Sequence, residues 1–216
     1  EMVEGLATIG LFRRIDGLLS GYLGEAANAG PVLAARHHLR PGAPWLCDPV
    51  IGDGDTGIYV RPGVMEAIRD QLAPQATIVT PNAFELGVLT GAPTDSLEQT
   101  LAAAHRLIGR GPEVIAVTTA PVESGRTGVL LVSASEATVM TTPIVNVDVK
   151  GTGDLFAGLL LAGIIGGMAP AESCHAAIAR LYMALRLTEQ QQADELMVLD
   201  PASNPILDLT AVDRTA

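Results

Sequence analysis

The chain has 216 residues, of which 48% are hydrophobic and only 17% charged. That is enough apolar material for a buried core without a disulfide or a structural metal, and it excludes a disordered chain. A net charge of −11, from 13 basic against 24 acidic residues, excludes a nucleic-acid binder, which needs a basic stripe; an anionic membrane surface would repel the chain for the same reason.

Residues 1–14 read as a helix, with Met2, Leu6, Ile9 and Leu11 apolar and Arg13 and Arg14 near its end. Asp16 to Tyr22 reads as a short buried strand closed by a glycine turn, and a helix follows from Glu25 to Leu39. Trp45 to Cys47 is a brief apolar strand between Pro44 and Asp48-Pro49. Val50 to Gly57 is a loop of Gly, Asp and Thr, and Pro62 suits the first position of a helix reaching Leu72. Thr77 to Thr80 is a strand cut by Pro81, and Asn82 to Thr90 a short helix. Asp95 and Glu98 fit a capping box for the next helix, whose apolar face is Leu97, Leu101, Ala104 and Ile108. Val114 to Val117 is a buried strand. Thr127 to Ser133 and Glu136 to Thr142 form a hairpin around Ala134-Ser135. Two helices begin near Asp154 and at Pro170.

Cys47 and Cys174 belong to no CxxC pair, which argues against a zinc or thioredoxin-type site and fits a reducing compartment. Glu1 and Glu4 stand where a signal peptide would be basic, and Leu155 to Ile165 is too short and too interrupted by glycine to span a bilayer. The cytoplasm is the expected compartment. Strands alternating with helices imply one α/β domain over residues 1–216, with a mostly parallel sheet flanked by helices. Ligands of such sheets gather beyond the carboxyl ends of the strands. The informative loops are therefore Ser20 to Gly24, Asp48 to Tyr59, Thr80 to Glu85, Thr118-Thr119 and Lys150 to Asp154.

The strongest of these is Lys150-Gly151-Thr152-Gly153-Asp154, followed by an apolar run. Small residues let successive backbone N–H groups converge, and the new helix adds its positive end, so the loop is a candidate anion site. An aspartate at its mouth makes sense as a general base that takes a proton from a hydroxyl while the amides hold a moving phosphoryl group. It fits equally a glycine turn whose Asp154 complements the helix dipole. The loop lacks the GxxxxGK[ST] pattern, and the GxGxxG pattern fails at Phe156, which disfavours NAD. Asp48-Pro49 fits a turn start, Asn82 and Glu85 a helix cap, and Tyr22 an edge aromatic. Lys150, Asp53 and Asp55 fit solvated loop charges. His105 and His175 have no companion ligand.

Gly151-Thr152-Gly153-Asp154-Leu155-Phe156-Ala157-Gly158 resembles the signature of the ribokinase-like superfamily of small-molecule kinases. Cys47-Asp48-Pro49-Val50-Ile51-Gly52 and Thr80-Pro81-Asn82-Ala83-Phe84-Glu85 resemble two further signatures of its vitamin-kinase branch. Ile15 to Gly24 is similar to pyridoxal kinases in particular, as is the tail Glu195 to Leu199 with Asn204-Pro205 beyond it. The resemblance implies a three-layer ribokinase-like sandwich and ATP-dependent phosphorylation of the 5′-hydroxymethyl of pyridoxal, with pyridoxine and pyridoxamine as further acceptors. It implies that Asp154 is the base and Gly151, Thr152 and Gly153 the anion hole. Asp48 and Glu85 match the acidic positions that organise Mg²⁺. Thr80 lies in the motif that carries Asn82, a polar residue near the phosphates, and Thr118 and Thr119 match nucleotide contacts. Tyr22 matches a residue beside the pyridine ring, and Asp53 to Tyr59 the flap that closes over the site.

A homodimer is implied by the same resemblance. The resemblance begins at a helix that the family places after a first strand and a segment bearing Asn, His, Thr and Gly, so the vitamin half is expected to be partly present and an edge of the sheet bare. A hydroxymethylpyrimidine kinase of the same superfamily is the close rival. That group often carries Cys in the signature loop, where this chain has Asp154. A non-catalytic remnant that binds nucleotide or dimerises is the reading from a different class.

Overall fold

A computed structural model describes residues 1–198 and 212–215. In chain order it contains α1 (Met2–Thr8), β1 (Leu18–Ser20), α2 (Ala29–His38), β2 (Trp45–Cys47), β3 (Gly52–Asp53), β4 (Gly57–Ile58), α3 (Val64–Ala67) and β5 (Ile78–Val79). Then come α4 (Ala83–Thr90), α5 (Leu97–Ile108), β6 (Val114–Ala120), β7 (Arg126–Ser133), β8 (Ala137–Pro143), α6 (Thr152–Ile165), α7 (Pro170–Gln191) and β9 (Asp213–Thr215). Of the tail motif, Leu199, Asn204 and Pro205 lie outside the described residues.

The main sheet has the order β1-β2-β5-β6-β7-β8-β9. Its first four strands run parallel, with Ser20 beside Cys47, Cys47 beside Val79 and Val79 beside Ile115. The hairpin β7–β8 and the short β9 extend it antiparallel. Successive side chains of a strand point to opposite faces, and here both faces are covered. Trp45, Cys47, Val79, Ile115 and Val117 enter one core with residues of α2 to α5. Leu46, Ile78, Val114 and Ala116 enter a second core with Phe156, Leu160, Ala177 and Ile178 of α6 and α7. The result is the expected three-layer α/β sandwich. Among the described residues no helix is long and apolar enough to cross a membrane.

Several local expectations are corrected. The N-terminal helix ends at Thr8; Gly10 takes a left-handed φ of 73° and the chain restarts as a 3₁₀ turn over Leu11–Arg14. β1 is not buried throughout: Leu19 is exposed, because β1 is the terminal strand of the sheet order. Ala26–Asn28 is a 3₁₀ turn, so α2 proper starts at Ala29. Pro62 lies in a turn, and Gly63, with a φ of 84°, caps a helix that passes through a π turn at Ile68–Leu72. Ser96, rather than Asp95, caps α5, accepting from the Gln99 N–H at 3.2 Å, while the Gln99 side chain accepts from the Asp95 N–H. The loop Val50 to Gly57 is a small hairpin, β3 against β4, with Gly52 opposite Ile58.

Candidate active site

The parallel strands deliver four loops to one end of the sheet. Beyond β2 stands Asp48, buried, with Oδ1 accepting from the Thr80 hydroxyl at 2.9 Å. Burial pushes its carboxyl up to about 6; the Thr80 bond opposes the shift and the nearby Asp154 charge adds to it. Beyond β5, Asn82 and Glu85 form a complete capping box at the start of α4. Asn82 Oδ1 accepts from the Glu85 N–H at 2.8 Å, and Glu85 Oε2 accepts from the Asn82 N–H at 2.9 Å. Glu85 Oε1 accepts from the Ile51 N–H at 2.9 Å and more weakly from the Gly52 N–H at 3.4 Å. Burial drives Glu85 up to about 7 against the pull of those three N–H groups. The cap therefore does double duty, starting α4 and holding the root of the β3–β4 hairpin.

Asn82 also bridges to Thr118 in the second half of β6, where the Thr118 N–H meets the Pro81 carbonyl at 2.9 Å. Thr119 beside it has a left-handed φ of 50°, rare for a β-branched residue, within an irregularity of the β6–β7 ladder between Val117 and Ala120. Its exposed hydroxyl turns back to the Thr118 carbonyl.

Gly151, with a φ of 85°, is the N-cap residue of α6, and Thr152, Gly153 and Asp154 form its first turn. No side chain caps this end, so its first N–H groups are left without a side-chain acceptor, as an anion site needs. Asp154 is exposed, and a Cβ added to Gly21 would lie 3.9 Å from its Oδ1. The base candidate thus sits beside the loop after β1 and within electrostatic range of Asp48. Tyr22, in that same loop, is 63% exposed. Tyr59, past β4, is half exposed, yet partial burial and the charges of Glu85, Asp53, Asp48 and Asp154 all raise its phenol. Asp53 is held low by the Thr56 N–H and hydroxyl and by the Asp55 N–H, with the charge of Lys150 adding least.

Sequence reasoning overlooked two features. One is an open hollow of about 610 Å³ lined by residues that include Asn146, Asp148, Thr188 and Gln192, flanking the segment that leads into Gly151. Its size suits a small-molecule ligand. The apolar and polar residues around Asp148 carry no recognisable spacing, so nothing in the sequence flagged it. The other is the hairpin between β3 and β4, hidden because its two-residue strands are held by side chains some thirty positions away.

None of the ion pairs among the described residues involves Asp48, Glu85 or Asp154. Nor do three or more His, Cys, Asp or Glu side chains there form a ready-made metal cage. Buried carboxylates without a cationic side chain fit a hard cation that takes one or two carboxylates and completes its shell with phosphate oxygens and water.

The phosphomethylpyrimidine kinase family matches residues 14–198. The chain is 41% identical over 187 residues to the pyridoxine/pyridoxal/pyridoxamine kinase of Bordetella bronchiseptica, covering 84% of this chain and 66% of that one. It is 35% identical over 208 residues to a pyridoxal kinase of Granulibacter bethesdensis, covering 92% and 73%. The chain belongs to the pyridoxal kinases within this family. Among solved structures, the pyridoxal kinase of Entamoeba histolytica superposes with a TM-score of 0.78 at 27% identity, covering 87% of this chain and 68% of that one. The ribokinase-like fold expected from the motifs is thereby established. The chain spans 66% and 73% of the length of the two bacterial pyridoxal kinases named.

Proposed function

We propose that this pyridoxal kinase relative transfers the γ-phosphoryl group of ATP to the 5′-hydroxymethyl of pyridoxal, giving ADP and pyridoxal 5′-phosphate. The observation that carries the reading is Asp154 in the first turn of α6, an exposed carboxylate beside the open amides of Gly151, Thr152 and Gly153 and facing the ends of β1 and β2. Asp154 takes the hydroxyl proton as the oxygen attacks phosphorus, and the amides receive the charge of the moving group.

Asp48 would hold Mg²⁺, with Glu85 acting through water because both of its oxygens already accept backbone N–H groups. When bound, the ion offsets the triphosphate charge. Thr80 orients Asp48, and Asn82, Thr118 and Thr119 face the phosphates. Tyr59 and the β3–β4 hairpin shield the site from water, and Tyr22 lies beside the pyridine ring. The hollow by Asn146 and Asp148 has room for the rest of the nucleotide. By family likeness the assembly is a homodimer and the compartment the cytoplasm.

A hydroxymethylpyrimidine kinase is the second reading, favoured by the family that matches residues 14–198. Aspartate rather than cysteine at position 154 favours pyridoxal. The deciding assay follows ADP release by the purified chain with Mg²⁺-ATP and pyridoxal, hydroxymethylpyrimidine or ribose. Preferential turnover of pyridoxal is expected. Preference for the pyrimidine would replace the reading by its rival, and nucleotide binding with no turnover of any acceptor would make the chain a non-catalytic remnant.

A further inference from the structure

We infer that Gly52 is a positioning residue for the transfer reaction: its missing side chain lets the β3–β4 hairpin close against α4, and this fixes where the return strand delivers Tyr59 at the mouth of the site. The inference rests on the kinase reading above and adds to it a residue that touches no substrate.

Gly52 is buried where three parts of the chain meet. A Cβ placed there would run into the carbonyl of Gly57 on the return strand and come within 2.9 Å of Phe84 Cε1 on α4. Its own carbonyl accepts from Asn82 Nδ2 at 2.8 Å, and its N–H faces Glu85 Oε1. Gly52 does not take a positive φ, so backbone freedom is not the reason for glycine here. Space is the reason. On the return strand Gly57, the partner of Asp53, turns with a φ of 72°, and two residues later the Tyr59 N–H reaches the Ile51 carbonyl at 3.1 Å. That bond fixes the backbone that carries the half-exposed Tyr59 ring, whose phenol feels the charges of Glu85, Asp53, Asp48 and Asp154. A methyl group at residue 52 therefore has to displace the return strand, because the atom it meets first is backbone. Tyr59 is displaced with it, and water gains access to the phosphoryl group.

The test compares the wild-type chain with Gly52→Ala and with Phe84→Leu, which trims the α4 side of the cradle without crowding it. For Gly52→Ala, kcat for pyridoxal falls by roughly 10- to 100-fold, the scale of a small misplacement at a reacting centre. The Kd for AMP-PCP moves far less. The ratio of ATP hydrolysed without acceptor to phosphate transferred rises, which a merely weakened fold would not produce. Phe84→Leu shows the same signature more mildly and stands in if Gly52→Ala does not fold. Hydrogen exchange at the Tyr59 amide, faster in either variant, reads the geometry without any catalysis. A folded Gly52→Ala chain with wild-type hydrolysis-to-transfer ratio and unchanged exchange at Tyr59 overturns the inference. If the wild-type chain phosphorylates no acceptor, the kinase reading fails by itself, and the exchange measurement still decides what Gly52 does.

Discussion

The Thr80 hydroxyl donates to Asp48 Oδ1 at 2.9 Å, joining the residues that follow β5 and β2. It is the contact that keeps a buried carboxyl from drifting further from ionisation. Thr80→Val removes it at nearly constant volume. Asp48 is then protonated to a larger extent near neutral pH, and the Mg²⁺ concentration for half-maximal activity rises roughly three- to tenfold, the net worth of one ordinary intramolecular hydrogen bond. A Mg²⁺ titration of ADP release checks this, and an unchanged midpoint would mean that Thr80 does not tune Asp48.

Replacing Asp154 with alanine lowers kcat for pyridoxal by about 10² to 10⁴, the usual effect of removing a positioned proton acceptor. Binding of AMP-PCP, followed by calorimetry, stays within a few-fold of wild type. Near-normal turnover in the variant discards the base assignment.

Stability carries a pH signature of the same cluster. The carboxyls of Asp48 and Glu85 ionise near 4 in an unfolded chain but near 6 and 7 in the folded one. Between those limits the folded state holds more protons, so these two groups make the metal-free protein less stable as pH rises through the window. Asp48→Asn removes part of that penalty. Its Tm relative to wild type should climb from pH 4 to pH 6 and then level off. Mg²⁺ selects the ionised forms, so it raises the wild-type Tm more at pH 8 than at pH 5. Thermal melts in EDTA and in Mg²⁺ test both statements, and a variant-to-wild-type difference that is flat with pH contradicts them.

At the sheet's first strand, the Trp45 indole N–H donates to Ser20 Oγ at 3.0 Å, both residues being buried. Ser20→Ala leaves that donor without its partner and costs about 1–3 kcal/mol. Urea unfolding followed by the fluorescence of Trp45, the only tryptophan in the chain, measures the loss directly. Ser20→Thr, which keeps a hydroxyl, should retain most of the stability.

Much of the framework is legible in the sequence because burial on both faces writes itself as continuous apolar runs. Trp45 to Cys47 and Val114 to Val117 are of this kind, and the alternation in Arg126 to Pro143 marks the hairpin. Legible too is the convergence of Asp48, Asn82, Glu85, Thr118 and Asp154, since all follow parallel strands or open helices at one end of the sheet. Less was readable where long-range contacts decide. Ser96 and Asp95 are both good caps, and only the path of the chain chooses between them. Gly10 breaks a helix whose apolar spacing continues past it, because the residues after it turn inward to place Phe12 in a satellite core. The hairpin rooted on Glu85 and Asn82 looks like a plain polar loop until its anchors are seen.

The two halves of the candidate site ride on opposite sides of the sheet. Asp154 and its glycines begin α6, which is rooted through Phe156 and Leu160 in one core, whereas Asn82 and Glu85 begin α4, rooted through Leu86 and Leu89 in the other. A molecule gripped by both at once acts as a rivet through the sandwich. Neither layer can loosen without first releasing it, so saturation should slow amide exchange in α4 and α6 together and merge their local openings into a single cooperative event.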